Sequence, residues 1–195
     1  MLQQTQVERV VPFYTAFIKK FPTVRALARA PLAEVLRVWQ GLGYNRRAKY
    51  LHEAAKIVAR GGSAGQKLPG VGAYTAAAVA AFAHDQPTVF IETNIRTVFL
   101  YFCFARQRGK VADNKILPLV AEALRQSRMS PREFYWMLMD YGAYLKRQGI
   151  KLNARSAHYA KQSKFEGSAR QARAARLRRL LARGASDKEL SKALK

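Results

Sequence analysis

A glycine-built turn and a single carboxylate stand at a fixed spacing in this chain. Leu68-Pro69-Gly70-Val71-Gly72 puts two glycines in a five-residue turn, and Ala73-Tyr74-Thr75 leads on into the small-residue run Ala76–Ala83. Lacking Cβ atoms, Gly70 and Gly72 let the backbone come close to a ligand. A helix that starts just after such a turn leaves backbone N–H groups without partners. Together these features suit an anion, and a DNA phosphate is the natural candidate. Twenty residues after Gly72, Glu92 lies in Phe90-Ile91-Glu92-Thr93-Asn94-Ile95-Arg96, between apolar stretches. A phosphate grip with one carboxylate in register fits a protein that holds a nucleic-acid backbone and does chemistry on a sugar or base.

Composition supports that partner. The chain has 195 residues, with 35 Lys+Arg against 12 Asp+Glu and a formal charge of +23. So positive a field favours polyanions, although a basic protein of ribosomal type would share it. A hydrophobic content of 49% argues against a disordered basic tail and for real cores. The one cysteine, Cys103, excludes a disulfide framework and an all-cysteine metal cluster within these residues. Its setting in Tyr101-Phe102-Cys103-Phe104 predicts a buried, inert thiol. His52, His84 and His158 have no ligand spacing, so no metal is expected. No apolar run is long enough to cross a bilayer, and no basic segment leads an apolar one at the N-terminus. The expectation is a cytoplasmic, nucleoid-associated protein of bacterial type that acts as a monomer.

The elements that must position these residues read as all-α. Thr5 to Phe21 carries Val7, Val10, Val11, Tyr14, Phe17, Ile18 and Phe21 at the spacing of one helical face, with a bend possible at Pro12. Thr23 suits the cap of a helix over Val24 to Arg29, and Pro31 the start of one over Leu32 to Gln40. Gly41-Leu42-Gly43-Tyr44 is a turn, Arg46 to Arg60 an amphipathic helix, and Gly61-Gly62-Ser63-Ala64-Gly65 a loop. Thr93 to Phe104 is apolar nearly all round and reads as a buried helix, although its β-branched and aromatic content would also suit a strand. Asp113 to Gln126 and Ser130 to Tyr144 are further helices, the latter opened by Ser130-Pro131-Arg132-Glu133. Residues 146–195 hold 15 Lys+Arg and 3 Asp+Glu, with a basic helix over Ala169 to Arg183 and a last short one capped at Ser186.

Several strings together carry a family resemblance: Met1-Leu2-Gln3-Gln4-Thr5-Gln6-Val7, Phe21-Pro22-Thr23, Trp39-Gln40-Gly41-Leu42-Gly43-Tyr44, Leu68-Pro69-Gly70-Val71-Gly72 and Met139-Asp140-Tyr141-Gly142-Ala143. In these the chain resembles the helix-hairpin-helix DNA glycosylases, in particular the MutY-type adenine glycosylases, over roughly residues 1–145. The resemblance implies an all-α fold of two helical lobes with a cleft, a core over residues 1–145 and a basic helical extension over 146–195. It implies duplex DNA with a mismatched or damaged base as partner, with the target base turned out of the stack. The reaction would be hydrolysis of the bond between base and deoxyribose. The leaving base then needs a proton, and a carboxylate supports the oxocarbenium-like sugar.

Residue by residue, Glu92 stands where the family has a sugar-facing aspartate, and Asn94 where MutY relatives have an assisting asparagine. A plainer role for Glu92 is a helix-entry carboxylate. Tyr74 stands where bifunctional members have a lysine; a phenol forms no Schiff base, so strand-cutting lyase chemistry is not expected. Its plainer role is a ring covering the hairpin. Gln3, Gln4 and Thr5 match positions that probe the duplex, and Leu42 and Tyr44 a loop that wedges into the stack. Core packing is the alternative for Leu42, and a turn aromatic for Tyr44. Leu68, Gly70, Val71, Gly72 and Thr75 match the phosphate grip. Arg46 and Arg47 either add backbone charge or form solvated surface.

Four departures modify the expectation. The MutY-type general acid is a glutamate two residues before the position of Met1, so it is expected to be missing from this sequence, together with a packing helix; Glu8 is too far along to replace it. The segment between Arg60 and Leu68 is short, so the first hairpin helix should be stunted. The four cysteines of the family's iron–sulfur site are replaced by the basic stretch Lys146 to Lys164, so no cofactor is expected. The stretch from Lys146 to Lys195 is too short for the family's 8-oxoguanine-reading domain, so these residues are not expected to recognise that lesion on their own. The expected function is a monofunctional glycosylase removing adenine opposite G or 8-oxoG. The alternatives are a DNA-binding protein without turnover and a glycosylase for T·G mismatches.

Overall fold

The computed structural model describes residues 1–2, 5–62, 67–161 and 164–194. Gln3 and Gln4 of the expected duplex-probing string, and most of the loop at residues 63–66, lie outside the described residues. The described residues form helices and one isolated parallel bridge, Val111 with Ser156. They divide into two compact units, Met1–Gly70 with Ser163–Lys195, and Val71–Gln162.

The first unit is built from α1 (Val7–Lys20), α2 (Val24–Arg29), α3 (Leu32–Trp39), α4 (Arg46–Ala59), α9 (Ala169–Ala182) and α10 (Asp187–Ala193). Its core joins Phe17, Phe21, Val35, Leu36 and Trp39 to Leu177, Leu181, Leu190 and Leu194. Helices α9 and α10 are therefore part of this unit's packing, each such leucine supplying about 1.5–3 kcal/mol on burial. Asp187 Oδ2 also accepts from Leu32 N at 3.1 Å, and Leu194 O accepts from Arg46 Nε at 2.7 Å. Thr23 caps α2 by accepting from Ala26 N, as its type and position predict. In α1, which runs through Pro12, the expected seven-residue face is only partly buried. Val10, Phe17 and Phe21 face the core, whereas Val7, Val11, Tyr14 and Ile18 are exposed. The apolar stripe on α1 is wider than the surface its neighbours cover. Among the described residues between Ala59 and Ala73 there is no helix.

The second unit contains α5 (Ala73–His84), α6 (Thr93–Phe102), α7 (Asp113–Ser127), α8 (Pro131–Arg147) and a single 3-10 turn, Asn153–Arg155. The start of α8 is the capping box read from the sequence. Ser130 Oγ accepts from Glu133 N, Glu133 accepts in return from Ser130 N, and Pro131 takes the first helical position. Helix α6 lies at the centre, burying Ile95, Val98, Phe99 and Leu100, so the helical reading of this stretch holds over the strand. It is not buried all round: Tyr101 and Phe102 are exposed, and so is Cys103, the residue that caps its C-terminus. The expected buried thiol is corrected on this point: the end of α6 lies at the surface, where Phe102 stacks on Tyr141 of α8 at 5.8 Å without being covered. Partial desolvation still raises the Cys103 thiol above the usual cysteine range.

Helix α8 approaches α6 very closely at one point. A Cβ on Gly142 would lie 2.4 Å from the Asn94 carbonyl oxygen. The glycine at this position therefore fixes how near α8 comes to the first turn of α6, the turn that carries Glu92 and Asn94.

Candidate active site

Glu92 is the N-cap of α6. Its Oε1 accepts from the backbone N–H groups of Asn94 and Ile95, the latter at 3.0 Å. These satisfy two of the donors that a helix start leaves open. Both bonds end on Oε1; among the described residues Oε2 accepts no hydrogen bond. The helix-entry role thus occupies one oxygen of this side chain and leaves the other without a hydrogen bond among the described residues.

Tyr74, on the first turn of α5, packs edge-on against Phe90 with ring centroids 5.7 Å apart. Burial pushes its phenol up, and the Glu92 charge pushes it further, so the hydroxyl stays protonated beside the carboxylate. Phe90 is in turn stacked on Tyr135 at 4.1 Å, and Tyr135 donates to Thr88 O at 2.7 Å. A buried aromatic layer therefore supports the strip that delivers Glu92. Asn94 Oδ1 accepts from Lys146 Nζ at 2.5 Å. The second unit thereby brings Tyr74, Glu92 and Asn94 together and adds Lys146 to them. One helical turn away, Arg96 makes a two-pronged pair with Asp113 at 2.7 Å, which holds that carboxyl below the usual range.

Of the residues expected at the phosphate grip, Leu68 and Gly70 belong to the first unit and Val71, Gly72 and Thr75 to the second. Gly70 has φ +73°, and a Cβ there would meet the Tyr50 ring at 2.8 Å, so its own fold requires a glycine. Gly72, the N-cap of α5, has φ −87°, and a Cβ there would meet nothing within 4 Å. Nothing in the fold demands glycine at 72; the bare backbone at this helix start suits a close ligand.

The turn between α3 and α4 is strained in a useful way. Gly41, Gly43 and Tyr44 all have positive φ, and for Tyr44 the value is +48°. A non-glycine residue held there is uncommon; the others among the described residues, Asp85 and Arg128, are helix C-caps, whereas Tyr44 lies in a turn ahead of a helix. The Tyr44 ring is half-exposed, lies under the Arg47 guanidinium at 5.2 Å, and its hydroxyl accepts from Arg170 of α9 at 3.3 Å. Leu42 differs from the wedge expectation: it is 5% exposed and packs in the first unit's core. Arg46 and Arg47 both have partners within the unit, Arg46 at Leu194 O, and Arg47 at Met1 O (3.2 Å) and over the Trp39 ring. Thr5 Oγ1 accepts from Arg47 as well, at 3.5 Å. Among the described residues no group of three or more His, Cys, Asp or Glu could hold a metal ion.

Residues 1–120 match the HhH-GPD superfamily of base excision DNA repair proteins. The chain belongs to that superfamily. It is 42% identical over 151 residues to the adenine DNA glycosylase of Mycolicibacterium smegmatis, and the match covers 73% of this chain and 51% of that protein. To the human adenine DNA glycosylase it is 37% identical over 155 residues, covering 73% of this chain and 28% of the other. The chain thus spans about half the length of its bacterial relative and less of the human one. Among solved structures, a thermostable thymine-DNA glycosylase matches with a TM-score of 0.61 at 25% identity, covering 81% of this chain and 79% of that one. Endonuclease III in a trapped covalent complex with DNA matches with a TM-score of 0.55 at 18% identity, and bears on fold alone.

Within this superfamily, an iron–sulfur cluster held by four thiolates does not fit these residues, since Cys103 is the chain's one cysteine and caps α6. Two residues of the site escape a sequence reading. Gly142 is visible as a motif letter but not as the point where α8 meets Asn94. Lys146 reads as the first charge of a basic extension, and its link to Asn94 spans 52 positions. No helix among the described residues is long and apolar enough to cross a membrane.

Proposed function

We propose that this chain is a monofunctional DNA glycosylase of base-excision repair acting on chromosomal duplex, removing adenine mispaired with G or 8-oxoG, without an iron–sulfur cluster. The observation that carries the reading is Glu92: one carboxylate oxygen ties down the start of α6 while the other accepts no hydrogen bond among the described residues, beside Tyr74 and Asn94. As the bond to the base breaks, positive charge grows on the deoxyribose, and the unbonded oxygen of Glu92 is the group that supports it; water then adds at the sugar carbon, leaving its hydroxyl there and releasing a proton that balances the one the departing base takes up from solvent. A fixed carboxylate needs no reorganisation at that moment, because the cap bonds already hold it. Asn94 supplies a polar amide next to it. Tyr74, kept protonated, offers a donor and no amine, so the reaction stops at the abasic site. In the second unit Gly72 with Thr75 would receive a phosphate; in the first unit Tyr44 would stack on DNA bases.

The relatives' names favour adenine; the thymine-DNA glycosylase likeness favours thymine in T·G. Glutamate in place of the family's aspartate at position 92 is the feature that a binding protein without turnover would share. Single-turnover reactions with A·8-oxoG, A·G and T·G duplexes decide among the three. Release of adenine from the first two supports the proposal, and release of thymine alone replaces it with the T·G reading. Tight binding with no abasic product from any duplex replaces it with the binding-only one.

A further inference from the structure

Lys146 sits in the last turn of α8, where a lysine ordinarily extends into water and gains from the helix dipole. Here the side chain is half-buried and turns to the first turn of α6, with Nζ 2.5 Å from Asn94 Oδ1. That placement gives up hydration of an ammonium, which is costly unless a polar partner compensates. The compensation is the amide oxygen of Asn94, with Glu92 close enough for its charge to act on the same ammonium. Gly142, one turn earlier on α8, provides the close approach that lets a lysine at 146 reach this far.

An asparagine amide has an acceptor end and a donor end. With Oδ1 held by a cation, the two N–H donors are the end left for a substrate oxygen. We propose that Lys146 is a positioning residue for base excision, fixing the Asn94 carboxamide and holding a positive charge behind the Glu92–Asn94 pair. This rests on the glycosylase reading and deepens it. The charged groups that face Lys146 from α6 and its cap are Glu92, which favours the ammonium, and Arg96, which opposes it; Arg96 is itself paired with Asp113 of α7. Burial outweighs Glu92 and leaves the ammonium easier to deprotonate than an ordinary lysine.

The test is single-turnover base release as a function of pH, alongside duplex affinity, for the full chain and for Lys146→Met and Lys146→Arg. Misplacing a reacting or supporting group by about 1 Å costs on the order of 100-fold, so Lys146→Met should slow release by about 10- to 100-fold. Duplex affinity should change by no more than about threefold, since the role belongs to the chemical step. Wild-type release should decline as pH rises toward the lowered titration of Lys146. Lys146→Met should lack that alkaline limb, and Lys146→Arg, which does not deprotonate, should recover most of the rate and also lack it. Lys146→Met matching the wild type in rate and pH profile would overturn the inference alone. Equal loss of rate and melting temperature in both variants, with the alkaline limb intact, would make Lys146 structural and overturn it too. No release by the wild type from any duplex would overturn the glycosylase reading, and this inference with it.

Discussion

Glu92 joins a visible duty to a proposed one on a single carboxylate. Capping α6 uses Oε1, which leaves Oε2 for the role proposed for it in base excision. His52 poses a different problem at the same scale. It lies on α4, buried near the end of α2, and among the described residues its Nε2 has no hydrogen-bond partner. Burial and Lys56 lower its pKa, against weaker opposing effects of the Ala30 carbonyl, Asp187 and Glu53. The unfolded chain therefore binds the proton more readily than the folded one, so the contribution of neutral His52 to stability is present above the unfolded value of about 6.5 and lost as pH falls. Melting temperature should drop between about pH 7 and pH 5, and His52→Phe should flatten that part of the profile. An unchanged slope in the variant would assign the pH dependence to other groups.

Among the elements, the contact of α8 with α6 is the one on which the site's geometry depends. Gly142→Ala would put a Cβ against the Asn94 carbonyl, a backbone atom that cannot step aside. It should cost about 1–3 kcal/mol of stability and slow base release more than it weakens duplex binding. Thermal melts with single-turnover assays check this; wild-type stability would mean that α8 shifts freely. What the sequence reveals of the elements follows the range of the interaction. Thr23, the Ser130–Glu133 box and the Ser186–Glu189 box are legible because cap chemistry lies within four residues. The outer half of the α1 stripe stays exposed, since periodicity shows which residues are apolar, not how much neighbouring surface exists to cover them. Cys103 fails for the same reason at the end of α6. Leu42 and Tyr44 share one turn yet part company, one into the core and one half-exposed at positive φ, a choice set by the turn's backbone rather than by residue type. Lys146 is invisible because a charged residue near a helix end reads as solvated until its partner, far along the chain, is known.

Across the whole molecule, the charge of +23 is concentrated toward the C-terminal third. Helix α9 places arginines at every third position, Arg170, Arg173, Arg176 and Arg179, the last three exposed. The row rises about 13–14 Å along the helix and starts at Arg170, which binds the Tyr44 hydroxyl. A duplex probed by Tyr44 would therefore pass the foot of this row. Replacing Arg173, Arg176 and Arg179 with Gln should weaken binding similarly for matched and mismatched duplexes. It should also reduce the log–log salt slope by up to about 2–3, as expected for up to three lost phosphate contacts. A slope that does not change would take α9 off the DNA-binding surface and leave it a packing element of the first unit. The exposed residues Val7, Val11, Tyr14 and Ile18 give α1 an uncovered apolar strip.

The central claim is that the unbonded oxygen of Glu92 supports the breaking glycosidic bond, and Glu92→Gln tests it most directly. The amide retains a carbonyl oxygen to cap α6 but loses the negative charge. Measured with an A·8-oxoG duplex under single-turnover conditions, the variant should lose at least about 100-fold in adenine release while binding the duplex nearly as tightly as the wild type. Adenine release by Glu92→Gln at the wild-type rate would contradict the account.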